Sequence, residues 1–371
     1  MEPVLWSVKY RPKTWTDFQG QEQAKSQLEK YAASRTVPHL ILHGPSGTGK
    51  TVAADIFAKS VLGDFYDSNF KSLNVRDIRS YPIASAKRNI SDLAKMDRSK
   101  RTELDEYMSV VFREAKAELS SKGRSRDPNR SQLLFQAISL FASTVTVADK
   151  YVKILVLDEA DALDNNMLQA LRRTMEIYSH SCRFILITPS LAGWNPAIAS
   201  RCVVIKFTAI KPDIMQSYLR SIAEIENVAF DDSGIDSIVR EAAGDVRRGL
   251  DLLQICAATG QEVNEDVVYA HSETTLTTGV RKMVSLAISQ NWIQARDTLR
   301  HLLASEQYSP NDIMIQIQKD IIRRPFDSRK MSHILERASD IDYRMTQGKN
   351  PHIHLMAFLA SIGNIEDAES Q

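Results

Sequence analysis

Four short runs of Ile, Leu and Val punctuate the first two hundred residues: His39–Leu42, Lys153–Leu157, Arg183–Ile187 and Val203–Ile205. A strand covered on both faces has no solvent side to show, so runs without polar alternation predict the parallel sheet of an α/β domain flanked by helices. The segments between them are long enough for crossover helices. One is predicted from Asp164 to Tyr178, with Asp164 or Asn165 as its N-cap. From about Lys211 strand-like runs disappear. Ile214, Tyr218, Leu219 and Ile222 follow Pro212-Asp213 at helical spacing, and a further helix is predicted from Asp245 to about Ala257, closed by Gly260. Past Ser272 the pattern stays helical to Ile362, with Pro310, Pro325 and Pro351 near helix boundaries. The expected organisation is an α/β domain over 1–208, a small helical domain over 209–272 and an all-α domain over 273–371.

One segment, about 78–130, breaks this rhythm. It is polar, and Lys87 to Arg130 holds twelve basic against eight acidic residues. Its end, Ser120 to Arg130, reads as a flexible loop, either a solvated insertion or a face for DNA. A second helix is expected to start near Ser131, through Leu134, Ala137, Ile138 and Phe141. Overall charge does not choose between the two readings: 47 Lys and Arg against 46 Asp and Glu leave +1, which excludes a uniformly basic coat but not a local basic surface. Three cysteines without CxxC spacing argue against a disulfide framework or a zinc site and for a reducing interior. His352 and His354, two apart, do not share a helix face and suggest no metal. The charged start of the chain is unlike a signal peptide and no apolar run reaches the ~18 residues that span a bilayer, so a soluble intracellular protein with no membrane partner is expected.

The first apolar run leads into Gly44-Pro45-Ser46-Gly47-Thr48-Gly49-Lys50-Thr51, which satisfies G-x-x-x-x-G-K-[ST]. Glycines let backbone amides converge on phosphate oxygens, and the helix expected from Lys50 aims its positive end at the same anion. Lys50 supplies a mobile cation for the β- and γ-phosphates, and the Thr51 hydroxyl is a ligand for Mg²⁺. The second run ends at Asp158-Glu159, where a carboxylate at a strand end would lie beside the loop. Asp158 is expected in the Mg²⁺ shell, and Glu159 as the group that polarises the attacking water. The cofactors expected are therefore ATP and Mg²⁺.

Several further boxes point to a family. Trp6 to Thr14 followed by Asp17 to Glu22, Asp161-Ala162-Leu163, Gln169 to Glu176, Arg183 to Leu186, Ser200-Arg201-Cys202, Gly244 to Arg248 and Asp342 to Gly348 occur in order. Together they resemble the clamp-loader ATPases of the AAA+ superfamily, and in particular the replication factor C small subunits of archaea and eukaryotes. The resemblance spans nearly the whole chain except the polar insertion. It implies that 209–272 is a lid and 273–371 an oligomerising collar. It places Tyr10, Arg11 and Pro12 with Gln19 and Gly20 along the adenine and ribose, and makes Arg247 a sensor of the γ-phosphate. Arg201 becomes a catalytic arginine offered in trans to the ATP of a neighbouring subunit. Implied partners are other replication factor C subunits in a hetero-pentamer, a ring-shaped sliding clamp and primer–template DNA. The implied location is the cytoplasm of an archaeon, or the nucleus if the source is eukaryotic. DNA contact would fall on helix N-termini and basic residues, with Asn165, Asn166 and Met167 offering free amides and Arg124, Arg126 and Arg130 offering charge. Arg172 and Arg173 share a helix with Glu176, either as a solvated face with an i, i+3 ion pair or as a coupling element.

One position departs from the pattern. Where the family has an Asn that positions the attacking water, this chain has Pro189, which offers neither a side-chain hydrogen bond nor a backbone donor. Thr188 or Ser190 are the available substitutes. The expected activity is clamp loading driven by ATP binding and hydrolysis, with hydrolysis weakened by Pro189. The alternatives are a regulatory subunit that holds ATP with slow or no turnover, and another AAA+ DNA-remodelling ATPase.

Overall fold

The computed structural model describes residues 5–34, 36–87, 102–124, 126–144, 152–192, 194–272, 275–305, 308–348 and 350–364. The chain divides into two compact units, Met1–Glu265 and Asp266–Gln371.

The first unit is built on a parallel sheet of β1 (His39–His43), β2 (Phe70–Asn74), β3 (Lys153–Asp158), β4 (Cys182–Thr188) and β5 (Cys202–Lys206), in spatial order β2-β3-β4-β1-β5. The three central strands are the apolar runs, and their side chains are buried on both faces. The apolar pattern does not reveal β2. It is an edge strand, Phe-Lys-Ser-Leu-Asn, in which Leu73 alone is fully buried, so it lacks the signal that marks the centre.

Helix α1 (Lys50–Leu62) buries Ala53, Ala54, Ile56, Phe57 and Ala58 in the core on its side of the sheet. Helices α2 (Glu103–Ser121) and α3 (Arg130–Ser143) help build the other core, and both begin with a capping box: Thr102 with Asp105, and Asn129 with Gln132. The segment read as a polar insertion therefore contains a core helix. Met108, Val111, Phe112, Ala115 and Leu119 recur every three or four residues along α2 and are buried. Residues 88–101, part of that insertion, lie outside the described residues. The expected loop shrinks to the short link after α2, where Asp127 pairs with Lys87 at 2.5 Å and Lys116 at 3.5 Å. Helix α4 (Asn165–Ile177) follows, with Asp164 as N-cap.

Beyond the sheet, α5 (Pro212–Ile225), α6 (Asp232–Ala242) and α7 (Val246–Ala257) pack pairwise, burying Leu219, Ile222, Ile235, Ile238, Leu250 and Leu253. The second unit contains α8 (Thr275–Ile288), α9 (Trp292–Ala304), α10 (Pro310–Arg323), α11 (Ser328–Gln347) and α12 (Pro351–Asn364) around a core that includes Met283, Leu299, Ile317 and Phe358. Pro310 and Pro351 each open a helix, where a missing amide costs nothing, and Pro325 lies between α10 and α11. No described helix is long and apolar enough to cross a membrane.

Candidate nucleotide site

The glycine-rich turn grows directly from β1 into α1. Gly47 (φ 64°) and Gly49 (φ 89°) adopt the left-handed conformation. Neither position has room for a side chain: a Cβ would lie 1.7 Å from Asp245 Oδ1 at Gly47 and 2.7 Å from the Phe18 ring at Gly49. Among the described residues, the amides of residues 46–51 donate to no protein acceptor, so they remain available to an anion. Lys50 folds back over the turn, its Nζ donating to the carbonyls of Gly44 (2.7 Å) and Pro45 (2.6 Å). Burial lowers the pKa of its ammonium, while Asp158 and Asp245 pull it back up. Thr51 Oγ1 donates to Asp158 Oδ2 at 2.7 Å, joining the loop to the end of β3.

Glu159, directly after β3, takes a left-handed backbone (φ 52°), uncommon for a residue with a side chain, and its amide donates to Asp158 Oδ1 at 2.9 Å. Its half-exposed carboxylate lies 3.3 Å from Arg76 Nε, and the same guanidinium reaches Asp161 at 2.7 Å. No motif in the sequence points to Arg76. It stands just past β2, whose Asn74 is in register with Asp158, so recognition of that edge strand is the signal that finds it. Gln21, inside the box Asp17 to Glu22 but given no role there, makes a second contact. Its Nε2 donates to the carbonyls of Thr208 (2.6 Å) and Thr48 (3.4 Å), and its Oε1 accepts from the Thr208 amide, tying the segment before α1 to the loop.

β4 ends between β3 and β1, so Thr188-Pro189-Ser190 faces the space between Asp158 and the loop. Pro189 is exposed. The Thr188 hydroxyl donates to the Ser190 carbonyl at 2.8 Å and accepts from Trp194 Nε1 at 3.3 Å, while Ser190 Oγ accepts from the Ala192 amide at 3.1 Å. The Thr188 hydroxyl both donates and accepts within the turn, and Ser190 Oγ accepts within it.

The other predicted residues fall in two places. Tyr10 donates its hydroxyl to Glu226 at the end of α5, and its carbonyl accepts from Tyr218 at 3.1 Å. Gly20 lies against Ile210 and Ile214 near the start of α5. Arg11 and Gln19 are exposed and Pro12 is partly buried. Arg247 stands in the first turn of α7, exposed and without an ion-pair partner among the described residues. The N-cap of that helix, Asp245, touches the loop: Ser46 Oγ donates to its Oδ2 at 3.0 Å.

Arg201 is not at the loop. It precedes β5 at the amino edge of the sheet, where it pairs with Glu176 at 2.7 Å and donates to the Ala197 carbonyl at 2.6 Å. Arg172 also reaches Glu176, at 3.2 Å, so the helical pair is i, i+4 through Arg172 rather than i, i+3 through Arg173. The start of α4 offers fewer free amides than expected, because Asp164 Oδ1 accepts from Met167 at 2.9 Å. Between α2, α3 and α4 lies a separate cleft of about 410 Å³ whose lining Lys122 and Arg124 are balanced by Glu118 and Asp164.

Residues 277–361 match the replication factor C C-terminal domain and residues 34–192 match the AAA domain. A replication factor C small subunit of Methanococcus maripaludis is 30% identical over 361 residues, covering 97% of this chain and 99% of that protein. One from Halobacterium salinarum is 32% identical over 358 residues, covering 96% and 95%. Among solved structures, the Aeropyrum pernix ORC1 protein in complex with DNA shares the fold with a TM-score of 0.52 at 18% identity, covering 92% of this chain and 86% of that one.

Proposed function

Because the chain belongs to the replication factor C small-subunit family, we propose that it is an ATP-binding subunit of a hetero-pentameric clamp loader. With its partner subunits it uses ATP binding and hydrolysis to open a ring-shaped sliding clamp and load it on primer–template DNA. The observation that carries this reading is the contact of Thr51 with Asp158 beside a turn of unpaired amides. These two residues offer oxygen donors 2.7 Å apart, a set suited to a hard divalent cation, and would hold Mg²⁺. Bound there, the ion supplies positive charge to the β- and γ-phosphate oxygens. The amides of 46–51 cradle the phosphates, and Lys50 exchanges its two carbonyl partners for phosphate oxygens. Glu159 orients and polarises the attacking water, Arg247 contacts the γ-phosphate from α7, and Tyr10, Arg11, Pro12, Gln19 and Gly20 flank the adenine and ribose. Arg201 serves the ATP of the adjoining subunit. DNA phosphates are met by the exposed Arg124, Arg126 and Arg130, which have no ion-pair partner among the described residues. The test is retention of the clamp on bead-bound primer–template by the reconstituted complex. ATP-dependent retention supports the reading, retention indifferent to ATP ends it, and DNA translocation without a clamp favours a different remodelling motor.

The chain hydrolyses ATP slowly on this reading. Pro189 has no side-chain hydrogen bond to offer, the Thr188 hydroxyl donates within the turn, and Ser190 Oγ is held there as the acceptor of the Ala192 amide. Pro189→Asn is expected to raise single-turnover hydrolysis at this site roughly tenfold or more, as a positioned polar group does elsewhere. An unchanged rate at equal ATP occupancy removes the argument.

A further inference from the structure

A carboxylate joins the phosphate loop to α7, and the nucleotide chemistry above makes no use of its charge. Asp245 caps α7 through Oδ1, which accepts from the Arg248 amide at 3.0 Å. Its Oδ2 accepts from Ser46 Oγ at 3.0 Å, and the next residue, Val246, donates its amide to the Gly47 carbonyl at 3.1 Å. The approach is close enough that a Cβ on Gly47 would meet Oδ1 at 1.7 Å. A negative charge is thus pinned to a turn whose free amides and lysine otherwise gather positive potential.

Capping does not require that charge. Asn and Ser cap helices about as well as Asp, each with a neutral acceptor oxygen. A neutral cap would leave the loop more attractive to a polyanion, because like charges at such short range in a partly desolvated site repel far more strongly than in water.

We propose that Asp245 is a specificity-determining residue of the nucleotide site: its charge, held on Ser46 and Gly47, weakens polyphosphate binding in proportion to ligand charge and so narrows the preference for ATP over ADP. The proposal rests on the assignment of residues 44–51 as the ATP site. It gives the phosphate loop a built-in brake, so that nucleotide leaves as readily as a repeating loading cycle demands.

The full-length chain is titrated with Mg·ATP and Mg·ADP by calorimetry, as wild type, Asp245→Asn and Asp245→Ser. Both variants keep a capping oxygen, and Asn also keeps a polar group within reach of Ser46. Each is expected to bind ATP about tenfold more tightly and ADP about threefold more tightly than wild type. The difference from wild type should shrink as salt rises, as a charge effect does. Unchanged or equally weakened affinity for both nucleotides, in variants that melt like wild type, overturns the proposal and leaves Asp245 a simple cap. Should one variant fail to fold, the other decides. Lys50→Ala in the same titration separates the two claims: wild-type binding abolished by Lys50→Ala upholds the nucleotide site whatever Asp245 does, and absence of wild-type binding defeats the site itself.

Discussion

The two edges of the sheet carry opposite kinds of chemistry. At the carboxyl edge, β1 and β3 deliver the glycine-rich loop with Lys50 folded onto it, and Asp158, which accepts from both the Thr51 hydroxyl and the Glu159 amide. At the amino edge, β5 begins just after Arg201, whose guanidinium is stored on Glu176. His39 is in register with Cys202, and His43 immediately precedes Gly44. Arg201, one residue before Cys202, therefore stands about six strand residues, ~20 Å, from the loop of its own chain. On the proposed reading, the polyphosphate is held at one edge, and the cation at the other is too distant to serve it. Water screens both charges of an exposed pair such as Arg201–Glu176, so it holds the guanidinium only weakly and leaves it open to competition from another anion.

The most severe way to break this contrast is Arg201→Ala. In the assembled complex it should lower hydrolysis at the adjoining site by about 10³-fold, the low end for an arginine supplied in trans, while ATP affinity of the isolated chain stays at its wild-type value. Weakened binding in the isolated chain would mean that Arg201 serves its own loop and that the separation of the edges is not functional. Gly47→Ala attacks the other edge. The left-handed backbone and the Asp245 carboxylate leave no space for the methyl group, so the turn must shift. ATP binding is expected to fall by about a hundredfold or more, since the converging amides lose their common centre. Calorimetric titration reads this directly, and an unaltered affinity would show that the turn tolerates what its geometry forbids.

The carboxyl edge is largely legible in the amino-acid sequence because its demands are local. A strand buried on both faces must be apolar, and a turn that wraps a phosphate must contain glycine. What is not legible comes from elsewhere in the chain. Arg76 and Gln21 reach the site only through tertiary packing, and β2, which positions Arg76, hides behind Lys71 and Ser72 at the sheet edge. Helix α2 is hidden differently. A count of charges over 87–130 averages away the face on which Met108, Val111, Phe112, Ala115 and Leu119 lie. The distance of Arg201 from the loop is equally out of reach, since it follows from the pairing of β1 with β5. The resemblance assigns Arg201 a role in trans, and the strand register supplies a physical reason for it.

A smaller effect separates the edges by pH. β1 has a histidine at each end, and His39, at the amino edge, is the drier. Its Nδ1 accepts from the Phe184 amide at 3.1 Å, and burial, aided by the charge of Arg183, lowers its pKa from 6.5 to about 4. Between those two values the unfolded chain takes up a proton that the folded chain refuses. Stability is therefore fully present above pH 6.5, falls as the pH drops, and has lost the whole contribution below about pH 4. The contribution is at most about 3.5 kcal/mol, since each tenfold change in proton affinity is worth roughly 1.4 kcal/mol. His39→Gln keeps an acceptor for the Phe184 amide but does not titrate. Its urea-unfolding free energy, followed from pH 7 to 4.5, should decline less steeply than that of wild type, since the carboxylates common to both cancel in the comparison. Parallel declines would show that the amino edge admits the proton without cost, and that His39 is as open to solvent as a residue of the nucleotide site.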